Sequence, residues 1–198
     1  VDDVSKYIAL EGGDGSGKTT VAESLAGRFR DEGEEVIVVR EPGGTPLGEA
    51  VRDLLLDSES LDDWAEVFLF AAQRAELARR VVAPALSRGK WVISDRTYYS
   101  SIAYQGRARG LGEEKVREIN EIGLGGVVPD HVFVLDVEPV TALPRQHRPD
   151  RIGAEGVAFQ EEVRKGYLAL ADEDERVVVL DGALPVTDLV ERILEVVR

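Results

Sequence analysis

Residues 12–19 read G-x-x-x-x-G-K-T, set between a short apolar run at 7–10 and an amphipathic stretch carrying Val21, Ala22, Leu25 and Phe29. The spelling follows from the chemistry of phosphate. Backbone N–H groups converge on phosphate oxygens only where glycines can take positive φ and bring no side chain into the way. The helix that follows adds its N-terminal N–H groups and the positive end of its dipole. Gly12, Gly13, Asp14, Gly15, Ser16, Gly17, Lys18, Thr19 and Thr20 are therefore expected to cradle the phosphates of ATP. Lys18 can reach the β- and γ-phosphates, and the Thr19 hydroxyl can ligate Mg²⁺.

The rest of the chain alternates strand-like apolar runs with helical periods, which predicts a parallel sheet covered on both faces. Strands are expected at 7–10, 35–40, 91–94, 131–136 and 176–180. A helix over 47–56 ends in a polar stretch at 57–60. Asp62 or Asp63 can cap a long helix running to about 87, with a kink near its end at Pro84. A helix starts at 98–105, residues 106–112 read as loop, and 113–122 is helical again. A short helix at 139–143 precedes the basic stretch 145–151, and helices follow at 156–172 and toward the C-terminus. The last of these carries Val186, Leu189, Val190, Ile193, Leu194 and Val197 on one face. The expected fold is α/β, a three-layer, doubly wound, five-stranded parallel sheet of the phosphate-loop NTPase kind. It forms one domain over 1–198, with a lid segment at about 144–156.

The 38 acidic against 24 basic residues give a formal charge of −14 over 198 residues. A field of that sign disfavours nucleic acid polymers and acidic membranes as partners. Its self-repulsion is relieved by salt, so a halophilic protein whose stability rises with ionic strength is expected. No apolar run approaches the length needed to cross a bilayer, and no signal peptide is expected before the first strand. Without cysteine, disulfides and thiolate metal sites are excluded. Dependence on ATP and Mg²⁺ makes a cytoplasmic location the expectation.

A guanine-reading N-K-x-D is absent, and the third strand ends in Asp95 followed by Arg96 rather than by a second acid. Strand ends in such sheets point into the ligand crevice, so Asp95 is a partner for Mg²⁺ or its waters. Arg96 is suited to phosphate. In a chain this acidic, the local reversal of sign at 145–151 supplies arginines that can close over a migrating phosphoryl group. No general base is required, because a nucleoside monophosphate has a second pKa near ~6 and is already ionised at neutral pH.

Taken together, the chain resembles the thymidylate kinase family over essentially its whole length. The matching stretches are E-G-G-D-G-S-G-K-T-T at 11–20, R-E-P-G-G-T at 40–45 and F-A-A-Q-R at 70–74. W-V-I-S-D-R at 91–96, S-S-I-A-Y-Q-G at 100–106 and D-R-I at 150–152 continue the match. The resemblance implies ATP + dTMP → ADP + dTDP with Mg²⁺. It implies that Phe70 stacks on thymine while Arg74, one helical turn on, donates to O4. Ser101 then lies near the base N3 with Gln105 nearby, and Tyr104 fills the space a 2′-hydroxyl needs. Asp14 accepts from the 3′-hydroxyl, Arg96 holds the acceptor phosphate, Glu41 orders that site or the metal waters, and Arg52 is a further phosphate candidate. Family members carry a catalytic arginine in the phosphate loop or in the lid. Position 15 is glycine here, so Arg145, Arg148 and Arg151 are the lid-borne candidates, with the choice among them open. The family also implies a homodimer, for which the apolar helix containing Val67, Leu69 and Ala71 is a candidate surface, the same residues being equally suited to the monomer core. The alternatives are a kinase of another (deoxy)nucleotide or deoxynucleoside, and a nucleotide-binding switch protein.

Overall fold

A computed structural model describes residues 6–146 and 150–198. Five parallel strands, β1 (Tyr7–Glu11), β2 (Val36–Arg40), β3 (Trp91–Asp95), β4 (His131–Asp136) and β5 (Val177–Asp181), lie in the order β2-β3-β1-β4-β5. The register sets Arg40 beside Asp95 and Asp95 beside Leu10, so three strands finish level at one edge.

Strand periodicity divides the core. Ile8 and Leu10 of β1 point to one face and pack with Val21, Leu25 and Phe29 of α1 (Lys18–Asp31) and with Leu189, Ile193 and Leu194 of α9 (Val186–Val197). Tyr7 and Ala9 point to the other. That second face is covered by α3 (Asp63–Leu77), α4 (Ala83–Leu86), α5 (Tyr98–Ser101), α6 (Glu113–Leu124) and α8 (Val157–Glu173). The two remaining helices, α2 (Pro46–Asp57) and α7 (Pro139–Ala142), follow β2 and β4. Helices thus lie on both sides of one sheet, as the alternating pattern requires. No helix among the described residues is long and apolar enough to cross a membrane.

Two boundaries differ from the sequence reading. The helix over 62–87 is capped by Asp62, whose Oδ1 accepts from the Trp64 and Ala65 N–H groups, but it widens into a π-segment at Ala78–Val82 before α4. Pro84 lacks the N–H that would bond the Arg80 carbonyl, and the wider turn accommodates its ring. The stretch 106–112 is only partly loop. Helix α5 runs on as a π-segment, Ile102–Ala108, straight through Gly106. A Cβ at Gly106 would lie 2.9 Å from the Glu113 Cα, so this glycine permits close approach to α6 instead of ending a helix.

Helix α3 turns Val67 and Ala71 of its apolar stretch into the monomer core, one of the two placements the sequence allows. Val67 is fully buried and Ala71 is 9% exposed, both inside the chain's own core. Phe68 is 57% exposed, and its ring lies 6.3 Å from that of Trp64 one turn earlier.

Candidate functional site

The loop after β1 is built as its glycines allow. Gly12, Gly15 and Gly17 have φ of 135°, 79° and 92°, and Gly17 opens α1. A Cβ on Gly15 would stand 2.1 Å from the Ala142 carbonyl oxygen at the end of α7. Helix α1 has no side-chain cap and no acid in its first turn, which leaves its leading N–H groups for an anion. Lys18 is buried, and its Nζ donates to the carbonyls of Gly12 (3.1 Å) and Gly13 (2.8 Å) and to Ser16 Oγ (3.2 Å). Burial, reinforced by the nearby Arg96 charge, pulls the Lys18 ammonium down to about 8 against the opposing pull of Asp95 and Asp14. Thr20 lies in the first turn of α1 with its side chain exposed.

Beside the loop opens a cleft of about 390 Å³. Asp14, Gly15, Lys18 and Thr19 line one end; Phe70, Ser101, Tyr104 and Gln105 line another part; Asp95 and Arg96 are also in its wall. Glu41 and Arg52 complete the side below β2, where Arg52 Nη1 donates to the Pro42 carbonyl at 2.8 Å. The Thr19 hydroxyl donates to Asp95 Oδ2 at 2.5 Å. These two hard oxygens at the loop's mouth fit Mg²⁺, which takes one or two protein ligands and fills its shell with phosphate oxygens and water.

Arg96 is the one non-glycine residue with positive φ among those described, at 74°. A side chain held there costs about 1–3 kcal/mol and persists only where its surroundings over-determine it. They do. Its N–H donates to the Leu10 carbonyl (2.9 Å), and its own carbonyl accepts from Ser94 Oγ (2.6 Å). The guanidinium pairs with Asp14, donates to the Gly12 carbonyl and Ser100 Oγ (3.1 Å each), and lies 5.2 Å from the Tyr104 ring centroid. Asp14 also accepts from the Tyr104 hydroxyl (3.2 Å) and from Gln160 Nε2 (3.2 Å).

Beneath Arg96 lies Glu11, fully buried, to which the motif reading gave no task. Its Oε1 accepts from the Thr97 N–H and hydroxyl (2.7 Å each), and its Oε2 accepts from Ser100 (2.6 Å) and Tyr167 (2.9 Å). The carboxylate thereby fixes the turn that carries Arg96. Its sequence signal was an acid closing an otherwise apolar strand.

Arg74 lies behind the cleft wall instead of in it, 2% exposed. Its Nε donates to Glu41 at 2.5 Å, Nη1 to Ser101 Oγ (3.2 Å) and Asn120 Oδ1, and Nη2 to the Thr97 carbonyl (3.1 Å). Four of the guanidinium's five N–H groups are thus used among the described residues, leaving one on Nη2. Burial pushes the Glu41 carboxyl up, with Arg74 pulling against it. The Arg74 guanidinium carbon lies 6.0 Å from the Phe70 ring centroid, so the expected ring and cation do come together.

The lid arginines separate. Arg145 is exposed at the end of a 3₁₀ turn, and the cleft reaches its neighbour Gln146. Arg148 lies outside the described residues. Arg151 does not line the cleft: its Nε and Nη2 donate to the Leu55 carbonyl (3.1 and 2.9 Å), and Nη2 pairs with Glu66 at 2.5 Å.

Residues 10–193 match a family model described as thymidylate kinase. A thymidylate kinase of Caldanaerobacter subterraneus subsp. tengcongensis is 45% identical over 181 residues, covering 89% of this chain and 87% of that protein. One from Synechococcus sp. (strain JA-3-3Ab) is 43% identical over 193 residues, 97% of this chain and 95% of its own length. One from Finegoldia magna is 39% identical over 197 residues, 97% of each.

Proposed function

The chain belongs to the thymidylate kinase family, and on that premise we propose that it transfers the γ-phosphoryl group of ATP to dTMP, giving ADP and dTDP. One observation carries the reading: a single cleft runs from the phosphate loop and Lys18, past Arg96, to Phe70, Ser101 and Gln105 with Arg74 behind them. Such a cleft suits a donor triphosphate and a pyrimidine nucleotide meeting phosphate to phosphate.

Each side chain then has a task. Residues 12–20 hold the ATP phosphates, and Lys18 leaves the loop carbonyls to neutralise charge on the β- and γ-oxygens. Arg96, pinned by its strained backbone, holds the dTMP phosphate with Arg52 at the side. Asp14 accepts from the sugar 3′-hydroxyl, and the Tyr104 ring fills the space of a 2′-hydroxyl. Phe70 stacks on the base, Arg74 offers its remaining N–H to O4, and Glu41 holds Arg74 in place. Thr19 and Asp95 would hold Mg²⁺, which spreads the phosphate charge when bound. Of the lid arginines, Arg145 and Arg148 add cation density over the moving phosphoryl group, whereas Arg151 would first have to leave Leu55 and Glu66. The nucleophile is the ionised phosphate oxygen of dTMP, so the acceleration comes from excluding water, aligning the two phosphates and neutralising their charge. Comparing dTMP, dUMP, UMP, AMP and thymidine as acceptors tests this. The highest kcat/KM is expected for dTMP, and a preference for the free nucleoside would overturn it.

Three finer readings belong to the same proposal: a cytoplasmic enzyme, where ATP is supplied; a homodimer; and a halophilic protein. The homodimer would use the exposed Phe68 with the half-buried Trp64 beside it, since an exposed aromatic ring gains from being covered. Phe68→Glu should convert a dimer into a monomer in sedimentation velocity; an unchanged sedimentation coefficient removes this surface from the dimer. The charge of −14 should make the melting temperature climb from low to high KCl. Melting that is flat with salt would end the salt-adaptation reading.

A further inference from the structure

Glu66 on α3 is 1% exposed, yet its carboxylate is crowded with donors. Arg109 reaches it through Nε (2.9 Å) and Nη2 (3.3 Å), Arg151 through Nη2 (2.5 Å) and Gln105 through Nε2 (2.7 Å). Burial alone would raise this carboxyl, but the hydrogen bonds from Arg109 and Arg151 outweigh it and hold the group below its ordinary range. It is therefore ionised at neutral pH.

An ionised carboxylate only accepts. Gln105, whose amide would otherwise be free to turn either way, must give its NH₂ to Glu66. Its carbonyl oxygen accepts from no side chain among the described residues, and Gln105 forms part of the cleft wall beside Ser101. The cleft thus meets an acceptor at this point; Arg74 lies behind the wall, bonded to Ser101, with one Nη2 N–H unclaimed among the described residues. Thymine presents an N–H between two carbonyl groups on its polar edge; cytosine presents a bare ring nitrogen beside an amine. The first pattern complements an acceptor flanked by a donor, and the second opposes both.

We propose that Glu66 is a positioning residue for base selection, locking the Gln105 amide so that its oxygen faces the acceptor nucleotide. The proposal rests on the dTMP reading and adds the group that enforces it. Arg109 and Arg151 keep Glu66 charged and fixed in direction; they join the cleft wall to residues 151–155, where Arg109 also holds Glu155 at 2.9 Å.

The test is the ratio of kcat/KM for dTMP to that for dCMP. In Glu66→Gln, position 66 can both donate and accept, so the Gln105 amide can lie either way round. Discrimination against dCMP should fall by about tenfold or more, staying partial because Arg74 still opposes the cytosine amine. A cluster with only a structural task would lower the melting temperature and slow both acceptors alike. An unchanged ratio in folded protein therefore overturns the proposal. Should Glu66→Gln fail to fold, the exchange E66Q with Q105E keeps the charge of the cluster and places an acceptor-only group at 105. Rejection of dCMP should then match the wild type, and a relaxed ratio overturns the idea. Wild-type protein that ignores dTMP would sink the acceptor assignment itself. Active wild type with an unmoved ratio would sink only the role of Glu66.

Discussion

Lys18→Ala should lower kcat/KM for ATP by about 10³-fold, equivalent to about 4 kcal/mol of transition-state stabilisation. The ammonium sits inside the loop that receives the phosphates, within 3.2 Å of three loop oxygens, and the short alanine side chain cannot replace its charge. Steady-state kinetics with folding checked by circular dichroism decides the matter, and a loss smaller than tenfold would remove Lys18 from the phosphate machinery. A pH dependence accompanies it. With a value of about 8 in the free protein, Lys18 loses its charge as the pH rises through that point, so kcat/KM for ATP should fall on the alkaline side. Bound phosphates raise the value again, so kcat should hold to higher pH. The stability sign runs the other way. Between about 8 and its ordinary value of 10.5 the folded state binds fewer protons than the unfolded state, so stability rises with pH across that window. Lys18→Met should consequently melt higher than the wild type at neutral pH while losing activity as Lys18→Ala does.

Arg74→Ala should produce the largest loss of stability, about 3–5 kcal/mol, because it strands a buried carboxylate. Glu41 and Arg74 are 3% and 2% exposed at their side chains and 2.5 Å apart. The Ser101, Asn120 and Thr97 oxygens lose their donor in the same stroke. The variant should also raise the dTMP KM by about 10–100-fold and blunt the preference for thymine over cytosine. Stability and selection can be separated. Pairing Arg74→Met with Glu41→Gln removes both charges, so most of the melting temperature should return while base selection does not. Chemical denaturation and the dTMP-to-dCMP ratio read the two effects independently. A single variant that melts like the wild type would show that the ion pair carries little of the fold, and an unchanged ratio would take Arg74 out of the base pocket.

Much of this architecture is legible in the chain because its signals are local. The glycine spacing at 12–17 dictates a loop with positive φ, and the continuous apolar runs dictate the strands of a parallel sheet covered on both faces. Phe70 and Arg74 were separable as a pair because i and i+4 share a helix face. The polar layer behind the cleft was not legible. Glu11 meets Thr97, Ser100 and Tyr167 across 86 to 156 positions, and Glu66 meets Gln105 and Arg109 across 39 and 43. Such partnerships carry no period, and only the folded sheet brings them together. The face of α3 is open in the sequence, between dimer surface and monomer core, for a related reason. Val67, Phe68, Leu69 and Ala71 are all apolar, so the pattern did not mark which side meets the sheet, and packing put Val67 inward and Phe68 outward. Gly106 looks like a breaker in the sequence, which cannot distinguish a glycine that ends a helix from one that lets two helices touch.

The contact between Gly15 and the Ala142 carbonyl has an evolutionary consequence. The resemblance to the family would put a loop-borne arginine at position 15, yet any Cβ there would lie 2.1 Å from that oxygen. Transplanting the arginine in one mutational step would therefore wreck the loop before it could help catalysis. A lineage starting from this protein would first have to retract the turn after β4, giving sign epistasis between two sites that sequence places more than a hundred positions apart.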